Sequence, residues 1–480
     1  MSEKLPIAVA HGNGIGPEII EVALEIMKEA GAPLEIHPVE IGEKVYMKGI
    51  TTGIEPKTWD TIRNCKAFFK APITTPQGGG FKSLNVTCRT TLGLYANIRP
   101  CISYTPFIDS KHPNMDVVII RENEEDLYVG VEYRQSAEVQ KSIKMISSPG
   151  SEKIIRYAFE YAKAHKRKKV TAFTKDNILK ISDGHFHKIF DEVATEYPDI
   201  ENEHWIIDIG AAKLADTPEA FDVIVMPNLY GDIVSDIGAQ ISGSVGLVGT
   251  ANIGEHGAMF EAIHGSAPRR ANQNMANPSA MILASVLMMD YLDLPEIGAL
   301  IHNAWLKTVE DGIHTYDVYV ERKSKEKVGT KEFGQAVIER LGKKPSKLKE
   351  AIKHDKVNTP KVLPNQNKKC SQELVGVDVY INAPVSQEEF LPIITSLNLG
   401  KFEVKLVTNR GTTIYPEGQP ETYCIDQWRV RIKLKEDEHA YKPSHTYKIL
   451  EILNESNLDV ISIEHLYNFD GSPGYSSSNY

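Results

Sequence analysis

Asn228-Leu-Tyr-Gly-Asp232-Ile-Val-Ser-Asp236 decides how this chain is read. It follows an apolar run at 223–226, so it marks the end of a strand and the start of a helix. In a helix Asp232 and Asp236, at i and i+4, project from one face about one turn apart. Mg²⁺ and Mn²⁺ take hard oxygen ligands and fill the rest of the shell with water and substrate oxygens. An open carboxylate pair of this kind suits an enzyme acting on a hydroxy acid. Taken alone, the two aspartates read equally well as a cap and a turn.

Working outward, short apolar runs alternate with longer amphipathic ones. Residues 6–10, 67–70, 117–121, 170–174 and 223–226 read as buried strands. Residues 17–31, 151–166, 183–196 and 278–292 read as helices, the first with proline in its opening turn and glycine at its end. The alternation predicts an α/β architecture with a largely parallel sheet. His11-Gly-Asn-Gly-Ile-Gly16 sits between strand and helix but is no dinucleotide fingerprint, since G-x-G-x-x-G needs its third glycine one position later.

Composition changes after Leu341. Residues 343–369 hold nine lysines, three prolines and two acidic residues, which predicts a solvated linker over 343–370. Beyond it, strand patterns at 374–382, 402–408, 427–435 and 458–466 alternate with helical patterns at 387–397 and 444–455, and 412–415 adds a hairpin strand. That order is the ferredoxin-like β-α-β-β-α-β plan, over 371–470. The last stretch, 471–480, reads as a disordered tail.

Four further segments carry chemistry. Thr74-Thr75-Pro-Gln-Gly-Gly-Gly-Phe-Lys-Ser83-Leu-Asn85-Val-Thr-Cys-Arg89, with Arg99 beyond it, combines close backbone approach, neutral hydrogen-bonding groups and guanidiniums suited to carboxylates. Arg121-Glu-Asn-Glu-Glu-Asp-Leu-Tyr128 puts an arginine at a strand end and a tyrosine after it. Thr174-Lys175-Asp-Asn177 puts a lysine where strand ends line sites in α/β proteins. His264-Gly265-Ser266-Ala267-Pro-Arg269-Arg270, followed by Asn277-Pro278, sets two arginines beside a tight turn and suits a phosphate. Each has a plain alternative: a solvated basic loop, a packing tyrosine, a surface lysine, an exposed basic turn.

Over 480 residues, 41% hydrophobic and 25% charged, two or three soluble domains are expected. The net charge of −10 argues against nucleic acid as a main ligand. Five scattered cysteines without a C-x-x-C pair fit a reducing, cytoplasmic setting. No secretion signal is visible, and the longest apolar run, 280–289, is too short to span a bilayer, so no membrane partner is expected.

Taken together and in this order, the segments closely resemble the β-decarboxylating (isocitrate/isopropylmalate) dehydrogenase family over roughly the first 340 residues. The match rests on the aspartate signature 228–247, R-E-N-x-E-D-x-Y, G-G-G-x-x-S-L-N-V, T-K-x-N and H-G-S-A-P. The resemblance implies a large domain from 1–95 and 243–342, a small domain over 96–242 with a dimer-joining clasp, and active sites shared across a homodimer. Mg²⁺ or Mn²⁺ would be held by Asp232, Asp236 and the Asp208 of a second protomer. Lys175, also from that protomer, and Tyr128 would do the proton chemistry. Arg89, Arg99, Arg121 and Asn177 would bind substrate. Ser83 and Asn85 match the isocitrate-oxidising members, of the bacterial NADP type with a C-terminal extension, rather than those acting on isopropylmalate.

The implied reaction is oxidative decarboxylation of isocitrate to 2-oxoglutarate and CO₂, as in the tricarboxylic acid cycle. Thr75, His264, Gly265, Ser266, Ala267, Arg269, Arg270, Asn277 and Tyr316 would bind the cofactor. Arg269 and Arg270 favour NADP over NAD where NAD-using members place an acidic residue. Departures are Val320 at an arginine position, with Arg322 nearby, and Asn13 where aspartate is common. Ser83 is also a conceivable phosphorylation site, as in some enteric members. The alternatives are isopropylmalate or homoisocitrate as substrate, or NAD as cofactor. The C-terminal domain reads either as a brace or as an effector sensor.

Overall fold

The computed structural model describes residues 4–74, 83–361, 370–436, 438 and 440–477, and the chain divides into two compact units. The first comprises residues up to Val129 and from Lys144 to Leu363, the second Gly130–Ile143 and Pro364 onward.

The first unit is built on a ten-stranded sheet. Across it run Leu34–Pro38, Leu5–Ala10, Ala67–Lys70, Ala258–Ala262, Gly249–Ile253, Ala96–Ile102, Asp116–Glu122, Val223–Met226, Lys169–Thr174 and Glu201–Ile206. Both flanks are parallel, as the alternating pattern predicts. The middle is antiparallel, where Gly249–Ile253 pairs with both Ala258–Ala262 and Ala96–Ile102, which in turn pairs with Asp116–Glu122. Helices Gly16–Glu29, Ser148–Ala164, Ser182–Ala194 and Ser279–Tyr291 bury their apolar residues in one large cluster with the sheet. Ser279–Tyr291 is apolar nearly all round and accordingly almost wholly buried. Helices Ile207–Asp216 and Asn228–Ile241 share a separate cluster with the sheet residues Val117, Ile119 and Ile224.

The lysine-rich stretch after Leu341, read as a solvated linker, is in part packed. Leu348, Ala351 and Val357 lie against the main core. Glu310 explains why. Its carboxylate accepts the backbone N–H groups of Ser346 (2.9 Å), Lys347 (2.7 Å) and Leu348 (3.0 Å) and the Ser346 hydroxyl (2.5 Å). Burial alone would raise this carboxyl, but these donors hold it down to about 2. Its stabilisation is therefore whole above the ordinary 4.5 and is lost as pH falls toward about 2. Glu310→Ala is expected to cost about 3 kcal/mol at neutral pH, since several charge-assisted bonds go at once. Urea denaturation measures that loss, and trypsin should then cut readily among Lys343, Lys344, Lys347 and Lys349. Unchanged stability and unchanged cleavage would contradict the role.

The second unit is a six-stranded antiparallel sheet in the order Thr412–Tyr415, Phe402–Asn409, Gln427–Leu434, Gln372–Asn382, Asp459–Phe469 and Ser472–Pro473. Its four central strands have the 2-3-1-4 order of the ferredoxin-like plan, with helices Gln387–Thr395 and Pro443–Glu455 closing one core around Trp428 and Phe390. Two readings change here. The stretch read as a disordered tail pairs through Ser472–Pro473, and the Tyr475 hydroxyl accepts from Lys433 at 2.7 Å; residues 478–480 lie outside the described residues. The hairpin Glu132–Arg134/Gln140–Ser142, assigned from sequence to the small domain, clusters with this unit instead. There the Ser136 hydroxyl donates to Asp426 (2.6 Å), and Asp426 N–H donates to Glu138 (3.0 Å).

Candidate active site

The sheet delivers three side chains to one end. Arg121 lies at the carboxyl end of Asp116–Glu122, Lys175 follows Lys169–Thr174, and Asn228 opens the helix after Val223–Met226. Arg121 is in register with Met226 on one side and Asn97 on the other. The helix packs directly on Arg121 because position 231 is glycine: a Cβ there would lie 2.4 Å from Arg121 Cγ. Asn228 then takes Arg121 Nε and Nη2 on its side-chain oxygen, at 3.0 and 2.8 Å.

Asp232 is the focus. Arg121 Nη1 bonds its Oδ1, the Tyr128 hydroxyl donates to its Oδ2 at 2.5 Å, and Arg99 Nη2 lies 3.5 Å from Oδ1. Arg99 also lies 3.6 Å from Asp236 and is held by the Ser235 hydroxyl and Asn97, both at 2.5 Å. The cations are buried and the carboxylates are partly open. Burial would raise the Asp232 carboxyl, yet Arg121 and Arg99 bring it below its usual value. Asp236 moves the other way, raised by burial and, despite Arg99, by the neighbouring Asp232. Burial, then the like charges of Arg99 and Arg89, depress Arg121 to about 9. Three guanidiniums lie together here, each within ion-pair distance of at least one carboxylate, and guanidiniums so grouped have the chemistry to take up further carboxylates.

Arg89 joins them through Glu261, whose carboxylate also pairs with the fully buried Lys70 at 2.6 Å. Burial favours a protonated Glu261, but Lys70 and Arg89 hold it at about 2. Arg89 Nε and Asn85 Oδ1 are buried without a hydrogen-bond partner among the described residues, so this corner has donor and acceptor capacity to spare. Ser83 is exposed at the start of the same helix, Leu84–Thr91. Thr75 and the three glycines beside it lie outside the described residues.

Lys175 and Asp208 form a second group, 2.8 Å apart, with Asp208 open to solvent. Asp208 does not join Asp232 and Asp236 within one chain. Among the described residues the one trio of such side chains close enough to hold an ion is Asp176, His187 and His204. Asn177 follows in the same turn as Lys175 and is exposed.

The His264–Arg270 turn meets the N-terminal loop. Ile15 N–H donates to Ser266 O (2.9 Å), the Thr74 and Ser266 hydroxyls share a 2.6 Å bond, and Asn13 accepts Thr74 N–H (3.2 Å). Gly14, at φ +60°, permits this approach, since a Cβ would sit 2.0 Å from Ser266 O. Burial lowers the pKa of His264 and keeps it neutral. Arg269 and Arg270 are exposed, and Arg270 stacks over Tyr316 at 4.9 Å. Asn277 is instead tied to Asp317 (3.0 Å). Ala267 holds a left-handed conformation at φ 37°. Motif reading missed the supporting residues Asn97, Asn228, Ser235, Glu261 and Lys70. Asn228 and Ser235 stood in the quoted stretch, and the others carry no local signal.

Residues 6–337 match the family model described as isocitrate/isopropylmalate dehydrogenase, and 372–479 match the bacterial isocitrate dehydrogenase C-terminal domain. Among curated proteins, the chain is 50% identical to the NADP isocitrate dehydrogenase of Rickettsia bellii, over 99% of both chains. It is 38% identical to that of Thermus thermophilus, over 98% of this chain and 95% of the relative. A crystal structure of a Thermus thermophilus protein superposes with a TM-score of 0.91 at 38% identity, covering 98% of this chain and 95% of that one. The isocitrate dehydrogenase of Methylococcus capsulatus gives 0.67 at 40% identity, over 70% of this chain and 99% of its own.

Proposed function

The chain belongs to the isocitrate/isopropylmalate dehydrogenase family, and on that premise we propose that it oxidises isocitrate with NADP⁺ and decarboxylates it to 2-oxoglutarate and CO₂. We place this reaction in the tricarboxylic acid cycle and in the cytoplasm. The observation that carries the reading is the convergence of Arg99, Arg121 and Tyr128 on Asp232, beside the Arg89 Nε that has no partner among the described residues. Among the described residues no helix is long and apolar enough to cross a membrane.

Asp232 and Asp236, with the partner's Asp208, offer only hard carboxylate oxygens, which fits Mg²⁺ or Mn²⁺. Such an ion, when bound, supplies Lewis acidity at the substrate's hydroxyl and carboxylate. Arg89, Arg99 and Arg121 clamp the substrate's carboxylates, with Ser83 and Asn85 at the one that distinguishes isocitrate, and the partner's Asn177 arrives with the partner's Lys175. The partner's Lys175 takes the C2 hydroxyl proton, directly or through a water. After CO₂ leaves, the Tyr128 hydroxyl returns a proton to C3. Burial and its bond to Asp232 raise the Tyr128 pKa, so the phenol stays protonated and able to donate. Arg269, Arg270 and Tyr316 present a cationic, stacked surface suited to a 2′-phosphate. His264, Gly265, Ser266, Ala267 and Asn277 would line the rest of the bed for NADP⁺, which when bound would supply the hydride acceptor.

Initial rates with isocitrate, homoisocitrate and isopropylmalate, each with both nicotinamides and with Mg²⁺ or Mn²⁺, test the proposal. Isocitrate with NADP⁺ should be fastest, over isopropylmalate by at least ~100-fold because a site that pairs charge rejects an analogue leaving it unpaired, and over homoisocitrate by the ~10-fold or more that one extra methylene costs. Chelation with EDTA should abolish turnover. Faster oxidation of isopropylmalate, or turnover unaffected by chelation, overturns it.

A further inference from the structure

One buried cluster beside the candidate site touches the three segments that carry Tyr128, Lys175 and Asp232. Lys144 Nζ lies 2.5 Å from Asp183 Oδ1 and 3.6 Å from Asp126 Oδ1, and both aspartates are completely buried. Among the described residues neither Oδ1 has an aligned hydrogen bond, so the ammonium's charge is what compensates them. The second oxygens are committed elsewhere. Asp183 Oδ2 accepts Lys175 N–H at 2.7 Å and the Tyr230 hydroxyl at 3.0 Å. Asp126 Oδ2 accepts Leu229 N–H at 2.9 Å. Lys144 itself donates to the Tyr230 hydroxyl at 3.3 Å and lies over that ring at 4.5 Å.

Each bond ends on a segment that carries chemistry. Asp183 fixes the strand end that presents Lys175. Leu229 and Tyr230 are in the first turn of the helix bearing Asp232 and Asp236. Asp126 is two residues before Tyr128, and its φ of +67° sets the course of that turn. In a shared-site dimer these segments serve different centres: Tyr128, Asp232 and Asp236 act in the protomer's own site, whereas Lys175 and Asp208 act in its partner's. We propose that the Asp126–Lys144–Asp183 array, with Tyr230, positions both sets together and so couples the two active sites of a dimer through the interior of each protomer. Lys144, Asp126, Asp183 and Tyr230 are positioning residues; none is assigned to the reacting atoms. The inference rests on the shared-site reading above.

Hybrid dimers with two different tags separate the possibilities. The premise is checked first by pairing a Lys175→Met chain with an Asp232→Asn chain. Each homodimer should be nearly inactive, while the hybrid keeps one intact site and recovers about half of wild-type turnover, because its two sites count separately. If nothing is recovered, the shared-site premise fails and takes the proposal with it. The array is then tested by pairing a Lys144→Met chain with a wild-type chain. Homodimeric Lys144→Met should lose about 100-fold in kcat with KM for isocitrate within about threefold, the pattern of misplaced reacting groups in an otherwise intact binding site. The hybrid should fall well below half, since one altered chain disturbs both sites. A hybrid at half activity or above overturns the coupling, because the array would then serve one site or neither. Should Lys144→Met fail to fold, Tyr230→Phe removes a single hydroxyl and is read in the same format, with a loss of about tenfold expected in the homodimer.

Discussion

Asp232→Asn is expected to lower kcat/KM for isocitrate at least ~1,000-fold, the scale on which one oriented charge matters in a preorganised site. The substitution keeps the shape and removes the charge. Arg121, almost fully buried, already sits in a field of like charge from Arg99 and Arg89, and Asp232 is its closest carboxylate. With an amide in that place, Arg121 and Arg99 keep only neutral partners and Asp236. Tyr128 loses the acceptor that orients its hydroxyl. Removing one partner of a buried pair typically costs about 3–5 kcal/mol, reduced here because the Asp232 side chain is 39% exposed. Two measurements separate the effects: thermal unfolding for the ion pair, and Mn²⁺ binding followed by electron paramagnetic resonance for the metal. Weakened Mn²⁺ binding together with lost turnover is the expected pair. An enzyme with ordinary kcat/KM and ordinary Mn²⁺ affinity removes Asp232 from the centre of the site.

That aspartate was legible because strand, turn and helix signals coincide around it. A four-residue apolar run ends at Met226, and Gly231 allows the helix to sit on Arg121. The flanks of the sheet were readable for the same reason. Its antiparallel middle was not: Gly249–Ile253 opens on a glycine and alternates small residues, and Ala96–Ile102 is interrupted by Asn97, Arg99 and Pro100. Those polar residues sit in the core because they support the site, which breaks the pattern a strand normally shows. The packed stretch after Leu341 escaped because its lysines signal solvent, whereas the groups that anchor it are backbone N–H donors with no letter in the sequence. Chain position alone puts the hairpin at 132–142 in the small domain, and its partners Asp426 and Gln427 are nearly 300 residues away. Those contacts tie the C-terminal unit to the hairpin, the kind of contact that a bracing role requires and a purely sensory one does not.

Lys175→Met is the companion experiment, and a fall in kcat of about 1,000-fold is expected, within the range for loss of a positioned proton acceptor. Methionine keeps the unbranched stem and cannot take a proton. KM for isocitrate should change little, because the arginines that bind carboxylates belong to the other group of side chains. A second signature follows from Asp208. The hydrogen bond from Lys175 is the main reason the Asp208 carboxyl lies below its usual value, with backbone N–H groups adding to it. Without the lysine, Asp208 holds its proton to higher pH, so any acid limb of the rate profile that reports metal binding moves upward in the variant. The direction matters: a downward move would mean that the lysine had been opposing ionisation of Asp208, against the 2.8 Å contact between them. Deuterium at C2 of isocitrate supplies the last discrimination. If proton removal has become the slow step and is separate from hydride transfer, the isotope effect shrinks; if the two occur together, it grows. A variant with wild-type kcat and an unmoved profile leaves Lys175 as a surface lysine and requires another proton acceptor.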